Sequence, residues 1–339
     1  MTQKRIFITG TAGFIGFHLA TLLLKQGYAV AGYDGITDYY DVRLKERRHS
    51  MLRQHLAFSA TEAMLEDMGQ LSAAIAAFQP DAIVHLAAQA GVRYSIENPR
   101  AYLDANILGT FNVMECARSE NVEHLLMAST SSVYGANTVM PFTETERVAT
   151  PLTFYAATKL ANESMAHSYA NIYNLPVTMF RFFTVYGPWG RPDMALFKFV
   201  KGILEDTPID IYNDGDMWRD FTYVEDLVQG IAGLIKAIPQ AASGRVDVAP
   251  NDSLSPVAPF RVVNIGNSEK VRLLDFVDAI EAEIGKPAIR NYMPMQQGDV
   301  PATWADARLL NELTGYRPST TFHSGVAKFV AWYRDYYAC

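Results

Sequence analysis

Cysteine is nearly absent from this sequence, which holds only Cys116 and Cys339 among its 339 residues. Two cysteines, one of them inside a predicted helix, supply neither a disulfide framework nor a metal cluster. The seven histidines show no ligand spacing, so no metal site is expected. No apolar run approaches the ~18 residues of a membrane helix, and Ile6–Ile8 is too short for a signal-peptide core. These absences predict reduced thiols, a cytoplasmic location and no membrane partner.

Positive charge is also in the minority, with 29 Lys and Arg residues against 36 Asp and Glu, a formal net charge of −7. Since no block of basic residues stands out, we expect no nucleic-acid partner. Hydrophobic residues make up 49% and charged residues 19% of the chain, which excludes a disordered or coiled-coil protein. The length fits one large α/β unit or two associated lobes. Small molecules are therefore the expected partners.

Short apolar runs alternate with amphipathic segments through the first half of the chain, a pattern typical of βαβ units. The predicted strands are Arg5–Thr9, Tyr28–Tyr33, Ala82–Leu86, His124–Ala128 and Val177–Phe182. The predicted helices are Phe14–Gln26, Gly69–Phe78, Ala101–Ser119 and Phe154–Tyr173. The sequence thus predicts an α/β protein with a Rossmann-type, doubly wound parallel sheet. After Tyr186 the chain is punctuated by Pro and Gly, which indicates a smaller α/β lobe whose loops shape a substrate pocket.

Three glycines follow the first predicted strand and open the first predicted helix, with the spacing of a phosphate-binding turn. Gly10 permits the tight turn, Gly13 lets the backbone approach a pyrophosphate, and Gly16 allows close packing of strand and helix. Phe14 and Ile15 begin the helix whose N-terminus would face the anion. The alternative is a plain turn between a strand and a helix. We expect a dinucleotide to bind here.

Two carboxylates beyond the glycine turn, Asp34 and Asp67, are candidate ligands of the cofactor. Asp34 stands about 20 residues beyond the glycine turn, where a carboxylate accepts hydrogen bonds from an adenosine ribose. It would repel the 2′-phosphate of NADP, so NAD is the expected cofactor. Because the basic residues Arg43 and Lys45 lie close to Asp34 in sequence, NADP stays the alternative cofactor. Asp67 precedes a predicted helix and either bonds the adenine or caps that helix.

Tyr155 and Lys159 are four residues apart in a helical pattern, so both side chains project from one face. A tyrosine with a reference pKa of ~10 is a poor base at neutral pH, but a nearby ammonium favours its phenolate. Hydroxyl residues follow a strand in the segment Ala128–Gly135, at the sheet edge where α/β proteins bind ligands. Without that context, Tyr155 and Lys159 would be an ordinary exposed pair.

Taken together, these motifs resemble the extended short-chain dehydrogenase/reductase family over essentially the whole chain. Besides the glycine turn, Asp34 and the Tyr155 and Lys159 pair, the resemblance rests on the hydroxyl cluster and on Leu86, Ala87, Ala88 and Asn106. It implies NAD as the cofactor, with these residues and Asp67 around it. It also implies that Thr130, 25 residues before the tyrosine, is the hydroxyl partner in a Thr–Tyr–Lys catalytic set.

Within that family, the residues after Thr130 favour an epimerase. Dehydratases carry an Asp-Glu pair there, and sugar-acid decarboxylases usually carry Glu before Val-Tyr-Gly, but this sequence has Ser131 and Ser132. The segments Phe183–Pro188 and Trp189–Ala195 resemble those of UDP-glucuronate 4-epimerases. The resemblance implies inversion at C4 of a UDP-hexuronic acid, UDP-glucuronate to UDP-galacturonate, through a 4-keto intermediate. A UDP-glucose 4-epimerase, a UDP-glucuronate decarboxylase-like enzyme and a noncatalytic nucleotide sensor are the alternatives.

The same resemblance implies substrate contacts. Ser131, Ser132, Thr184 and Arg191 fall where a sugar carboxylate would be held, and a guanidinium suits a carboxylate bidentately. Arg219 would neutralise a UDP phosphate and Asp299 would bond the uridine ribose. A structural salt bridge is the alternative for Arg191, and an ordinary surface charge is the alternative for Arg219 and Asp299.

The resemblance also implies a division of the chain. Residues 1–185 form the NAD-binding Rossmann domain, to which about 217–240 and 261–266 return. Residues 186–216 and 267–339 form the lobe that binds the UDP-sugar. Members of the family commonly dimerise through the helices that carry Asn106 and Tyr155, so a homodimer is expected.

Overall fold

The fold is taken from a computed structural model, and the structure describes residues 3–241, 248–249 and 251–339. The strands are β1 Arg5–Thr9, β2 Ala29–Asp34, β3 Phe58–Glu62, β4 Ala82–His85, β5 His124–Thr130, β6 Val177–Phe182, β7 Thr184–Tyr186, β8 Ile209–Tyr212, β9 Trp218–Arg219, β10 Phe221–Tyr223, β11 Phe260–Ile265, β12 Val271–Arg272, β13 Arg290–Met293 and β14 Ala302–Thr303. The α-helices are α1 Phe14–Lys25, α2 Val42–Leu52, α3 Met68–Phe78, α4 Tyr94–Glu97, α5 Pro99–Tyr102, α6 Gly109–Ser119, α7 Phe154–Tyr173, α8 Ala195–Leu204, α9 Val224–Leu234, α10 Leu273–Ile284, α11 Arg308–Thr314 and α12 Phe322–Tyr337.

Seven strands form one parallel sheet in the order β11-β6-β5-β4-β1-β2-β3. The chain runs outward from β1 to β3, then returns to β4 on the other side of β1. This reversal leaves a crevice at the carboxyl ends of β1 and β4, where open α/β sheets bind ligands. The prediction of a Rossmann-type, doubly wound parallel sheet is confirmed.

Alternate residues of the sheet enter two different cores, as the two-residue period of a strand requires. Ile6 and Ile8 pack with helices α1 and α9 on one face. Phe7 packs with α3, α6 and α7 on the other face. Because both faces are covered, every strand of the sheet except the edge strand β3 is mostly buried, and their carboxyl ends are held rigidly relative to one another.

A second part of the molecule has its own core, built from α8, α10, α12 and the short strands β8, β10 and β12. Helix α11 lies within residues 267–339, yet its Leu309 and Leu310 belong to the core that contains α1 and α9. The division of the chain into two domains stays a prediction. By its residue numbers α11 belongs to the predicted UDP-sugar lobe, but it packs in the core beside the seven-stranded sheet. Within the described part of the chain, no helix combines the length and the apolar character needed to cross a bilayer.

One predicted helix is interrupted. The sequence predicts a continuous helix over Ala101–Ser119, but Leu103–Leu108 form a π-helical turn between α5 and α6. Asn106 lies in this turn with its side chain fully buried. Single π turns inside helices are frequent at functional sites, because the extra residue redirects a side chain.

Candidate functional site

The glycine turn between β1 and α1 lies at the crevice. Gly10 has a φ of +85°, and a Cβ atom there would come within 2.8 Å of a backbone nitrogen just after β4. A Cβ atom on Gly16 would lie 2.0 Å from the Gly10 carbonyl oxygen. Gly13 is the N-cap residue of α1 and offers no side-chain cap, so the amides of Phe14 and Ile15 are left for an outside acceptor. This cradle fits the diphosphate of a dinucleotide.

Asp34 ends β2 beside this turn. Its carboxylate accepts hydrogen bonds from the backbone N–H groups of Ala12, at 2.9 Å, and Ile36, at 2.8 Å. Lys45 donates hydrogen bonds to the carbonyl and hydroxyl oxygens of Thr37. Burial lowers the pKa of Lys45, and the negative charge of Asp34 partly offsets this shift. The carboxylate has lone pairs left for a ribose hydroxyl, because each oxygen accepts more than one hydrogen bond.

Asp67 is the N-cap residue of α3, where its side chain accepts a 3.0 Å hydrogen bond from the Gln70 backbone N–H. Of the two roles expected for Asp67, the structure shows the helix cap. A contact between this carboxylate and an adenine stays a prediction.

The segment Leu86–Ala88 is fixed from two sides. Thr9 Oγ1 accepts hydrogen bonds from the first two backbone N–H groups of the segment, each at 3.1 Å. The Asn106 amide accepts from the Gln89 N–H at 2.8 Å, and it donates to the Gln89 carbonyl at 3.0 Å and to Thr158 Oγ1 at 3.2 Å. Asn106 thus ties the loop after β4 to helix α7, which carries Tyr155.

Tyr155 and Lys159 project from the same face of α7 toward the end of β5. Burial raises the pKa of Tyr155, while a hydrogen bond with the Thr130 side chain and the positive charge of Arg191 oppose that shift. Lys159 Nζ donates to the carbonyl oxygen of Ala128 at 2.9 Å. The structure brings the three predicted catalytic residues together, and it adds Arg191, whose positive charge lowers the pKa of Tyr155 against the larger effect of burial.

Lys159 has a carboxylate one helical turn farther along α7. Burial lowers the pKa of Lys159 to about 8, and the charge of Glu163 opposes this shift. Glu163 itself forms a buried ion pair with Arg181 of β6 and accepts a hydrogen bond at 2.5 Å from Ser129 Oγ. Sequence reasoning did not identify this network, which lies beneath the predicted catalytic residues.

Ser131 and Ser132 follow β5 in a short 3-10 turn, Ser131–Tyr134. The backbone N–H of Ser132 donates to Thr130 Oγ1 at 3.2 Å, and the Thr130 hydroxyl donates to Ser132 Oγ at the same distance. These bonds fix the turn relative to the Thr130 hydroxyl. The turn thereby holds the hydroxyl of Ser132 beside that of Thr130.

Thr184 and Arg191 line one narrow cavity, which also reaches Phe14 at the glycine turn. Arg191 donates from Nε to Asp193 Oδ1 at 3.0 Å and from Nη2 to Asp193 Oδ2 at 2.5 Å. The Tyr39 hydroxyl donates to the same Oδ2 atom at 3.4 Å. Arg191 therefore shares a cavity with Phe14 of the predicted cofactor turn, acts electrostatically on Tyr155, and is already paired with a carboxylate of its own loop.

Arg219 and Asp299 also meet in space. Arg219 donates to the carbonyl oxygens of Trp218, at 2.9 Å, and Pro301, at 3.3 Å. Burial lowers its pKa, an effect that Asp299 opposes and Arg93 reinforces. Arg93 in turn donates to Asp299 Oδ2 at 3.1 Å. Two guanidinium groups and one carboxylate are thus collected where the sequence predicts the diphosphate and the ribose of a nucleotide.

Sequence reasoning missed Asp193, Glu163 and Arg93 in this region. Asp193 could have been found from its spacing of two residues after Arg191, and Glu163 from its spacing of four residues after Lys159. Arg93 gives no such signal, because its partner Asp299 is 206 residues away.

Comparison with known proteins gives consistent matches. The model of the NAD dependent epimerase/dehydratase family matches residues 6–249. A probable UDP-glucuronate 4-epimerase of Rhizobium meliloti (strain 1021) is 55% identical over 333 residues, which cover 98% of each chain. Protein CapI of Staphylococcus aureus is 53% identical over 333 residues, covering 98% of this chain and 99% of that protein.

Among solved structures, the crystal structure of a UDP-glucuronic acid 4-epimerase from Bacillus cereus, in complex with UDP-glucuronic acid and NAD, is similar with a TM-score of 0.87. The two proteins are 31% identical, and the match covers 98% of this chain and 100% of that one. The similarity in sequence and in structure therefore extends over nearly the full length of the chain.

Proposed function

Because the chain belongs to the NAD dependent epimerase/dehydratase family, we propose that it inverts C4 of UDP-glucuronate to give UDP-galacturonate, with NAD as its cofactor. The observation that carries this proposal is the position of Tyr155. Burial raises the pKa of Tyr155, while the Thr130 side chain and the positive charge of the Arg191 guanidinium lower it. One group able to move a proton thus lies close to one group able to hold a carboxylate.

The proton at the sugar 4-hydroxyl would pass to the Tyr155 phenolate, directly or through Thr130. General acid–base catalysis of this kind contributes ~10²–10⁴-fold to a rate. Bound NAD supplies the reversible hydride acceptor at C4, so the reaction has no net redox change. Lys159 would hold positive charge below the site, and its pKa of about 8 lets it do so at neutral pH. Tyr155 would return the proton after the sugar has turned.

The residues around the cofactor turn support NAD. The glycine cradle leaves amide groups for a diphosphate, and Asp34 has lone pairs for ribose hydroxyls while repelling a 2′-phosphate. Asp67, Leu86–Ala88 and Asn106 are proposed to complete this half of the site.

The substrate half of the proposal uses charge. Arg191, Thr184 and the hydroxyls of Ser131 and Ser132 would bind the sugar carboxylate. Arg219 would face the diphosphate, and Asp299 would accept a hydrogen bond from the uridine ribose. The cavity that Thr184 and Arg191 line together supports the part of this arrangement that involves these two residues.

The test is incubation of the purified protein with UDP-glucuronate, UDP-glucose or UDP-xylose, followed by product stereochemistry from NMR spectra. We expect UDP-galacturonate from the first sugar and little conversion of the others. Tyr155→Phe is the matched control, because it removes the proton acceptor while changing little volume. Conversion of UDP-glucose in preference to UDP-glucuronate would favour the neutral-sugar epimerase, and release of CO₂ as the main reaction would favour a decarboxylase.

We also propose that the protein is a cytoplasmic homodimer. Leu103, Leu108, Phe111 and Phe154 are large apolar side chains that are each about two-fifths exposed. They lie on the π-helical turn, α6 and the start of α7, elements that pack against one another. A second copy would cover this face, since monomers rarely expose a continuous apolar patch. Sedimentation analysis should show a dimer, and Phe111→Glu should dissociate it; a monomeric parent protein would refute the proposal.

A further inference from the structure

Asp193 occupies one edge of the Arg191 guanidinium. The two hydrogen bonds use Nε and Nη2 and both carboxylate oxygens, and the Tyr39 hydroxyl adds a third contact to Asp193. The Arg191 side chain is 20% exposed and that of Asp193 is 28% exposed. A bidentate, half-buried pair of this kind is among the stronger side-chain interactions in proteins.

This pairing changes how many N–H donors and how much positive charge Arg191 has available for a ligand. An arginine has five N–H donors, so the edge formed by Nη1 and the second hydrogen of Nη2 stays available for another carboxylate. The charge of Asp193, however, cancels much of the attraction that a lone guanidinium would exert at that edge. Arg191 therefore holds a second carboxylate less strongly than an unpaired arginine would.

This inference rests on the proposed reaction, in which weak binding of the substrate carboxylate by Arg191 is an advantage. A C4 epimerase must let the sugar ring leave one orientation and return in the other. A carboxylate bound too tightly stabilises one orientation and opposes release, which lowers turnover. A guanidinium left with no partner during the rotation would also be costly, because an unpaired charge that is partly buried is strongly unfavourable.

We propose that Asp193 is the resident counter-ion of Arg191: it weakens the grip of the guanidinium on the substrate carboxylate, so that the sugar can detach, rotate and bind again. Asp193 is thus a positioning residue that acts through Arg191. It is assigned no transfer of a proton or a hydride.

The test separates binding from turnover. Asp193→Asn keeps the volume and one acceptor oxygen but removes the charge. Binding is measured by calorimetry on the NAD-loaded protein in a Tyr155→Phe background, where no turnover occurs, with UDP-glucuronate and UDP-glucose as ligands. We expect the Kd for UDP-glucuronate to fall about fivefold and the Kd for UDP-glucose to change less than about twofold. In the parental background, kcat for UDP-glucuronate should fall while KM falls with it.

Two variants accompany this measurement. Asp335→Asn makes the same charge change on the exposed surface of α12 and should alter neither constant. Asp193→Glu keeps the charge and should restore a Kd close to that of the parent. Retained NAD and an unchanged melting temperature show that each variant is folded; if Asp193→Asn fails these checks, the Kd comparison is made with Asp193→Ser.

An unchanged or weaker affinity for UDP-glucuronate, or an equal shift for both sugars, overturns the role of Asp193. These outcomes differ from failure of the proposed function, in which the parent protein itself does not epimerise UDP-glucuronate.

Discussion

The Glu163 carboxylate accepts hydrogen bonds from Arg181 Nε at 3.0 Å and Arg181 Nη2 at 2.8 Å, in an ion pair that solvent hardly reaches. Arg181 lies on β6 and Glu163 on α7, one helical turn after Lys159. The pair therefore fixes helix α7 to the sheet and keeps a negative charge close to the lysine.

Glu163→Gln should destabilise the protein by about 3–5 kcal/mol, because it leaves the Arg181 guanidinium buried without its counter-ion. The free energy of unfolding is measured by urea denaturation. Glu115→Gln, which breaks the more exposed pair with Arg118 on α6, is the matched control and should cost less than about 1 kcal/mol. Equal costs for the two variants would mean that Glu163 has no special structural role.

Lys159→Met should lower activity and move the pH optimum upward. In the parent protein Lys159 has a pKa of about 8, so it is charged below that pH and loses its charge above it. Without this cation the Tyr155 phenolate forms only at higher pH. The measurement is kcat against pH, together with NAD content. An unchanged pH profile with weaker NAD binding would show that the lysine only positions the cofactor.

Asp34→Ser should increase the binding of NADP relative to NAD. The carboxylate repels a 2′-phosphate, and serine removes that charge while leaving a small hydrogen-bonding group. The ratio of the two cofactors retained after reconstitution is the readout. Asp38→Asn removes an exposed charge four residues away and should leave the ratio as it is. Equal retention of both cofactors by the parent protein would contradict the role of Asp34.

Arg191→Met should lower kcat/KM for UDP-glucuronate by ~10–100-fold, the loss expected for charge-assisted hydrogen bonds, with a much smaller effect on any activity toward UDP-glucose. A ketone at C4 is β to the sugar carboxylate, and a carboxylate free to rotate is lost as CO₂, leaving an enolate that takes up a proton. A 4-keto pentose should therefore appear in mass spectra of the products.

The control for this variant is Arg43→Met, which removes an exposed guanidinium paired with Asp41. It should behave like the parent protein on both sugars. Equal losses on UDP-glucuronate and UDP-glucose in Arg191→Met would exclude Arg191 as the carboxylate anchor.

Glu144→Gln should stabilise the protein above neutral pH. Burial raises the pKa of Glu144 to about 7, although its carboxylate accepts a hydrogen bond from the Asn264 N–H. A carboxyl with a raised pKa binds its proton more tightly when folded, so its contribution is complete below about pH 4.5 and is lost as pH rises through 7.

Glutamine keeps an acceptor for Asn264 and never ionises, so the gain at pH 8 should be about 1–3 kcal/mol and should vanish near pH 5. Urea denaturation at the two pH values measures it. Glu97→Gln, at an exposed position, is the control. A gain of equal size at both pH values would show that ionisation of Glu144 is not its cause.

The sequence by itself determined the elements whose signals are local. The predicted bounds of β1, β6 and α7 agree with the structure. Each strand is a short buried apolar run, and Thr153 caps the helix where its pattern begins. The glycine turn was equally readable, because three small residues at fixed spacing are what a close approach of strand and helix requires.

Elements without such a signal were missed. Strand β3 lies at the edge of the sheet with partly exposed residues, so no buried apolar run marks it. The π-helical turn around Asn106 interrupts a segment whose periodicity predicts one helix. The Asn106 side chain bonds the backbone of Gln89 and the hydroxyl of Thr158, and neither partner can be inferred from local spacing.

Only the tertiary structure decided how charges pair around the site. Glu163 meets Arg181 and Arg93 meets Asp299 because separate elements pack onto the sheet and onto the second core. Local spacing placed Tyr155 beside Lys159, but it could not reveal that Arg191 also acts on the tyrosine while paired with Asp193. Periodicity reports which face of an element is buried, whereas ion pairing depends on which other elements are folded against that face.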